Sequence, residues 1–243
     1  MPQVGDLAVN LLASVISGLA VLLVQFLRRR RKEARKSRFF GLDARSTCAV
    51  FVPRHALSNS VLSVHRRDAA AIVELAAVAR DCGAEIELVP SSGEYLPRTL
   101  GDRAEFAVGS PVANPRTDAL LETFVPGLTI GPREGSPDKL TIGVGGRAFG
   151  PDPGKVEYVA LAKVTAGGYP IFVLCGQTAV SNHAAARYLA RRYTQLLREY
   201  GVTGRFCLVL RIVNSQAFGE RNVEVAGDFT DAAFTRTADE AVS

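Results

Sequence analysis

The sequence predicts a three-layer α/β sandwich with a mixed, mainly parallel sheet, preceded by one N-terminal transmembrane helix. Three observations predict it. Apolar runs such as TCAVFVP at 47–53 and FCLVLRIV at 206–213 have the length of buried strands. Stretches with apolar residues three and four apart alternate with them. The chain opens on residues 7–27 without a charged side chain, and Arg28, Arg29, Arg30, Arg31 and Lys32 follow at once.

A helix over 7–27 rises about 30 Å, the thickness of a hydrocarbon core, with its backbone hydrogen bonds satisfied internally. A cleavable signal would carry its basic residues before the apolar stretch and a small-residue site after it. Residues 1–6 contain no Lys or Arg, and the apolar stretch runs straight into arginine. An anchor is therefore expected. Residues 28–38 hold eight basic side chains against Glu33, a balance of +7. With Asp6 set aside, the chain's +5 leaves residues 39–243 at −1, so the basic character belongs to this segment. Positive charge stays on the cytoplasmic side, which predicts the N-terminus outside and the large domain inside, in the cytoplasm. Arg28 to Lys32 should attract anionic lipid headgroups and hold a linker flat against the membrane. A near-neutral domain offers no wider phosphate-tracking face, which argues against nucleic acid.

The expected organisation is a short tail over 1–6, the span over 7–27, a polybasic linker over 28–38, an α/β domain over 39–230 and a flexible tail over 231–243. The domain is long enough for one core. Cys48, Cys82, Cys175 and Cys207 lie far apart, without C-x-x-C or metal-ligand spacing, and read as reduced core thiols.

Within the domain, residues 47–53 form a strand, 68–82 a helix closed by Gly83, and 84–89 a second strand, a Rossmann-like unit whose strands should be parallel. Residues 104–108, a helix over 117–124 introduced by Asn114-Pro115, and a strand over 128–130 repeat that grammar. Strand character over 140–144 and 156–165, then 169–175 after Ala166-Gly167-Gly168, predicts an antiparallel hairpin. A long helix follows from about Asn182 to Tyr200. It buries Ala185, Leu189, Leu196 and Tyr200, with Arg187, Arg191, Arg192, Gln195 and Arg198 outward. Residues 206–213 form a buried strand and 223–226 an edge strand.

Ligands of open α/β sheets gather at the carboxyl ends of strands, where loops lead into helix N-termini. Three loops qualify. The first runs from Arg54-His55 to His65-Arg66-Arg67-Asp68, and His55, His65, Arg66 and Arg67 form a local group able to neutralise an anion. The second, with Gly109, Ser110 and Asn114, resembles the third, with Gly176, Gln177, Thr178 and Asn182. In each a glycine permits close approach, and hydroxyl and amide groups can bond phosphate, ribose or a base edge. Helix capping explains Asn114 and Asn182 equally well. Glu74, among apolar neighbours on the first helix of the domain, is the one candidate acid or base. Gly143-Val144-Gly145-Gly146-Arg147-Ala148 fits the letters of a dinucleotide fingerprint but precedes Pro151 and Pro153 where a helix should start, so it reads as a turn. P-loop, zinc-protease and serine-hydrolase motifs are missing.

The stretch from RRDAAAIVELAAVARDCGAEIELVP through VGSPVANPRT, VEYVALAKV and CGQTAVSNHAAARYL to FCLVLRIV resembles a family of uncharacterised, membrane-anchored α/β proteins of high-GC bacteria. The resemblance covers most of the domain and implies its boundary and its anchor, with no activity attached. That family often has Gly-Gly-Pro in the second loop, whereas this chain has Gly109-Ser110-Pro111. The strand-loop-helix opening also resembles TIR-like and nucleoside-processing domains at the level of fold. Three functions are expected to compete: a module binding or sensing a nucleotide or other phosphorylated small molecule, a nucleotide-processing hydrolase or transferase, and a membrane-tethered recruitment scaffold. Convergence of Gln177, Thr178, Asn114 and His55 on one cleft would favour the first two, and their scatter the third.

Overall fold

The computed structural model of the chain describes residues 2–55, 58, 60, 63–91, 100–133 and 136–235, with the side chains of 2–15, 17, 133, 137 and 138 outside that description. The first helix, α1, runs unbroken over Pro2–Phe40. The basic segment expected as a linker over 28–38 is thus helical and continuous with the residues before it. Its composition explains why: no Gly or Pro interrupts 28–40, and Arg29 pairs with Glu33 one turn on at 2.9 Å. Among the described residues no helix is long and apolar enough to cross a membrane, and residues 7–15 of the expected span fall outside the described side chains.

The domain is built on a seven-stranded mixed sheet. Strands β1 (Thr47–Val52), β2 (Glu85–Pro90) and β3 (Glu105–Val108) come first in the chain. β7 (Val156–Ala166), β8 (Tyr169–Gly176), β9 (Phe206–Val213) and β10 (Val223–Asp228) complete it. The spatial order is β10-β9-β7-β8-β3-β1-β2. β8, β3, β1 and β2 are parallel neighbours, while β7 runs antiparallel to both β8 and β9, and β10 to β9. Five of the seven strands therefore point one way.

Helices α2 (Arg66–Asp81) and α4 (Ala179–Tyr200) cover one face. Their core includes Leu75, Val78, Leu189 and Leu196, with Phe39 and Phe40 from the end of α1 driven in beside Phe106 and Phe172. On the other face α3 (Pro115–Phe124) lies with a separate small sheet, β4 (Leu128–Arg133), β5 (Ser136–Val144) and β6 (Arg147–Phe149). Two short turns of helix, α5 (Ser215–Phe218) and α6 (Thr230–Ala233), flank β10.

Two expectations change here. The strand after α3 does not complete a second parallel unit, because β4 pairs antiparallel with β5. Pro132 lies within β4 and has no N–H for a central ladder, so β4 suits the edge it occupies. Order also extends past Asp231: α6 buries Ala233, whose carbonyl accepts from Gly127 N at 2.9 Å. The glycine turn is confirmed, since Gly145 and Gly146, at φ 57° and 71°, link Val144 to its partner Arg147 as a two-residue hairpin requires. All four cysteines are free and buried.

Candidate functional site

The carboxyl ends of β1, β2, β3 and β8 share one edge of the sheet, joined by the starts of α2, α3 and α4 and by β9's exit into α5. Between β1 and β3 the strand connections part to opposite faces, the place where such sheets leave a crevice. Here the protein fills it. Asn114 Nδ2 donates to Val108 O at 2.8 Å and Phe51 O at 3.2 Å, and Oδ1 accepts from Arg116 N at 3.0 Å. Gly109 has φ 97°, and a Cβ there would stand 2.7 Å from Pro53 Cβ. Ser110 is buried, and its carbonyl accepts from Ala113 N and Asn114 N. The second loop thus closes on itself.

The third loop does the same. Asn182 Oδ1 accepts from Gly176 N at 2.9 Å while Nδ2 donates to Asp68 at 2.9 Å. A Cβ on Gly176 would meet Asn182 Oδ1 at 2.4 Å, so packing against the protein's own carboxamide requires that glycine. Gln177 bridges two strands, accepting from Tyr158 N at 2.8 Å and donating to Phe149 O at 2.7 Å. Thr178 caps α4 in a capping box with Ser181 and donates to Glu157. Asn114, Asn182, Gln177 and Thr178 therefore spend their polar groups on the fold and point in different directions.

The first loop keeps its chemistry. Rings of His55 and His65 stack 5.4 Å apart at 20°. His65 is the N-cap of α2, its Nδ1 accepting from Arg67 N at 3.2 Å, which leaves Nε2 as the donor. His55 Nδ1 is buried without a hydrogen-bond partner among the described residues. Behind them Asp68 is only 5% exposed, and burial raises its carboxyl above the usual range, opposed by the Asn182 bond and the two histidines. Arg67 turns away to Glu220 at 2.6 Å. The buried Glu220 Oε2 also lies 3.7 Å from His183 Nδ1. Burial pushes the Glu220 carboxyl up, but a backbone hydrogen bond, His183, Arg67 and Arg187 outweigh it and hold the group low. Burial also lowers the His183 imidazole against the pull of Glu220 and Glu74.

Glu74 does not face the strand ends. It sits between α2 and α4, 3.7 Å from Arg187 and about a third exposed, where it pairs the two helices. No group of His, Cys, Asp and Glu among the described residues could hold a metal ion.

Beside the histidines, where β1 and β2 end and α2 begins, an open groove of about 410 Å³ is lined by Val52, Pro53, Val64, Ala69, Ile72, Val73, Leu88 and Pro90, with Arg54, Ser63 and Ser91 among them. Arg54 and Arg66 are exposed at the head of α2. Sequence reasoning named neither Asp68 nor Arg54 as a site residue, because a carboxylate in a helix's first turn and an arginine after a strand both read as ordinary surface chemistry. The buried Glu157, which accepts from Thr178 and from Ser215 at 2.6 Å, was equally silent inside an apolar strand. Comparison with known protein families, curated proteins and solved structures finds no match to this chain.

Proposed function

We propose that this chain is a single-pass membrane protein, N-terminus outside, whose cytoplasmic α/β domain binds a nucleotide or similar phosphorylated small molecule in the groove at the head of α2. The carrying observation is an apolar groove at the carboxyl ends of β1 and β2 whose lining includes Arg54, with Arg66 exposed at the start of α2. The groove's volume lies in the range of small-molecule sites, its floor suits a base or other flat apolar body, and Arg54, Arg66 and the first amides of a 16-residue helix suit a phosphate. Of the three loops the sequence offers, this reading keeps the first and leaves the second and third to the fold.

Support for the anchor comes from α1. Ile16, Leu19, Val21, Leu22, Leu23, Val24, Phe26 and Leu27 are each 45–63% exposed, a row that a bilayer would cover, and Arg28 begins at its inner end.

The test is a thermal-shift screen of the full chain in detergent against nucleotides, dinucleotides and sugar phosphates. Binding to the native state at a hundredfold over Kd adds about 2.7 kcal/mol, and Arg54→Ala with Arg66→Ala should remove that gain. A second reading, a recruitment scaffold, is favoured by the separate partners that Asn114, Gln177 and Thr178 find and by Val73 and Leu88, 67% and 54% exposed, which suit an apolar peptide. A flat response to every phosphorylated compound would leave that reading in place of the first.

A further inference from the structure

Where α1 enters the domain it lies along α4, and the seam between them opens into two recesses. The first, about 620 Å³, is lined by Arg29, Lys32, Glu33, Lys36, Asp81, Ala190, Arg191 and Tyr193. The second, about 480 Å³, follows directly and is lined by Arg35, Arg38, Thr194, Leu197, Arg198, Gly201 and Val202. Basic side chains in the two recesses come from the anchor helix and from the folded domain alike.

Two of them are already engaged. Lys36 bonds Asp81 at 2.6 Å and lies 5.7 Å over the Tyr193 ring, while Arg29 is held by Glu33. Among the described residues no carboxylate stands within ion-pair distance of Lys32, Arg35, Arg38, Arg191 or Arg198. Five uncompensated cations on one seam form a surface that fits anions.

Position selects the kind of anion. Lys32 follows Leu27 by five residues, roughly 7.5 Å along a helix, which is about the depth of the headgroup zone outside the hydrocarbon core. Arg191 reaches that level from α4. We propose that the α1–α4 seam is a docking face for headgroups of anionic phospholipids in the cytosolic leaflet, seating the domain in one pose on the membrane. This rests on the membrane reading above.

The test uses the full chain in lipid nanodiscs, either of phosphatidylcholine alone or with phosphatidylglycerol at about one lipid in three, plus a trace of headgroup-quencher lipid. Thr194→Cys in the second recess carries a fluorophore, which labels selectively because the native cysteines are buried. A label at Glu122→Cys, on α3 beneath the opposite face of the sheet, is the control. Quenching at 194 should exceed that at 122 and grow with phosphatidylglycerol. Arg191→Gln and Arg198→Gln should each raise the phosphatidylglycerol requirement about fivefold. Equal quenching at both positions, or in both discs, overturns the docking face alone. A chain that enters neither disc overturns the membrane reading and this face with it. Binding of a DNA duplex that the two substitutions abolish, without any response to phosphatidylglycerol, assigns the seam to nucleic acid and overturns it too.

Discussion

Asn182 donates its side-chain N–H to Asp68 at 2.9 Å and thereby ties the start of α4 to the start of α2. Its other arm accepts from Gly176 N, so one carboxamide joins two helices to the end of a central strand. Asn182→Ala leaves a buried amide and a buried carboxyl without partners, and about 2–4 kcal/mol of stability should go. Urea unfolding of the variant should show a lower midpoint at an unchanged slope.

The pH dependence follows from Asp68. Burial raises its folded pKa above 3.8, so whatever stability it supports is complete below that value and is lost as pH rises through the folded value. Because the Asn182 bond works to lower that pKa, Asn182→Ala should extend the loss toward higher pH. Asp68→Asn should abolish it. Unfolding midpoints across an acid-to-neutral buffer series, taken as differences between variants, measure both.

Lys163 carries an opposite sign. It is fully buried on β7, 4.5 Å from the Phe39 ring, with its ammonium donating to Val202 O, and burial pulls its pKa from 10.5 to about 8. The unfolded chain binds this proton more tightly, so stability rises with pH between about 8 and 10.5 and is flat below. Lys163→Met removes the buried charge while keeping the volume, and should stabilise by about 1–2 kcal/mol at pH 7. The alkaline slope should disappear with it. A variant whose stability still climbs through that window would refute the assignment.

Glu105 and Arg116 form a two-pronged pair beneath β3, Nε to Oε2 at 2.9 Å and Nη2 to Oε1 at 2.6 Å, with both side chains under 5% exposed. Arg116 also lies 4.6 Å from the Phe51 ring. Glu105→Leu removes both prongs of the pair at once and should cost about 3–5 kcal/mol, and Glu105→Leu with Arg116→Met should cost less than the two single losses added together. A double-mutant cycle by denaturant unfolding reads the coupling.

How far the sequence discloses this molecule depends on range. Periodicity and turn chemistry are local, so β1, α2, β2, the β7–β8 hairpin and its Gly167-Gly168 link can be read in order along the chain. The departure of β4 was visible only as Pro132, a single residue whose meaning depends on which neighbour its strand would have. Site residues are harder still. Asn114, Gln177, Thr178 and Asn182 are the residue types a ligand would need, and also the types that tie strand ends to helix starts. Which partner each one finds is decided by residues tens of positions away, such as Phe51 for Asn114 and Asp68 for Asn182, and no spacing in the sequence announces it.

The entry of α1 gives the last prediction. Phe40 is fully buried, its ring 5.3 Å from Phe172, 5.9 Å from Tyr193 and 5.0 Å from Phe39. The end of α1 is consequently part of the domain's own core, and Lys36 ties it to the domain through Asp81. Phe40→Ala should cost about 3–5 kcal/mol, as large truncations in packed cores do. Lys36→Ala, which removes an ion pair whose carboxylate partner is about two-thirds exposed, should cost about 1 kcal/mol. A chain beginning at Gly41 should unfold well below one beginning at Arg28, although both lack the apolar stretch. Equal melting temperatures for those two chains would mean that the helix end merely rests on the domain, and the rigid link from α1 to the sheet would have to be abandoned.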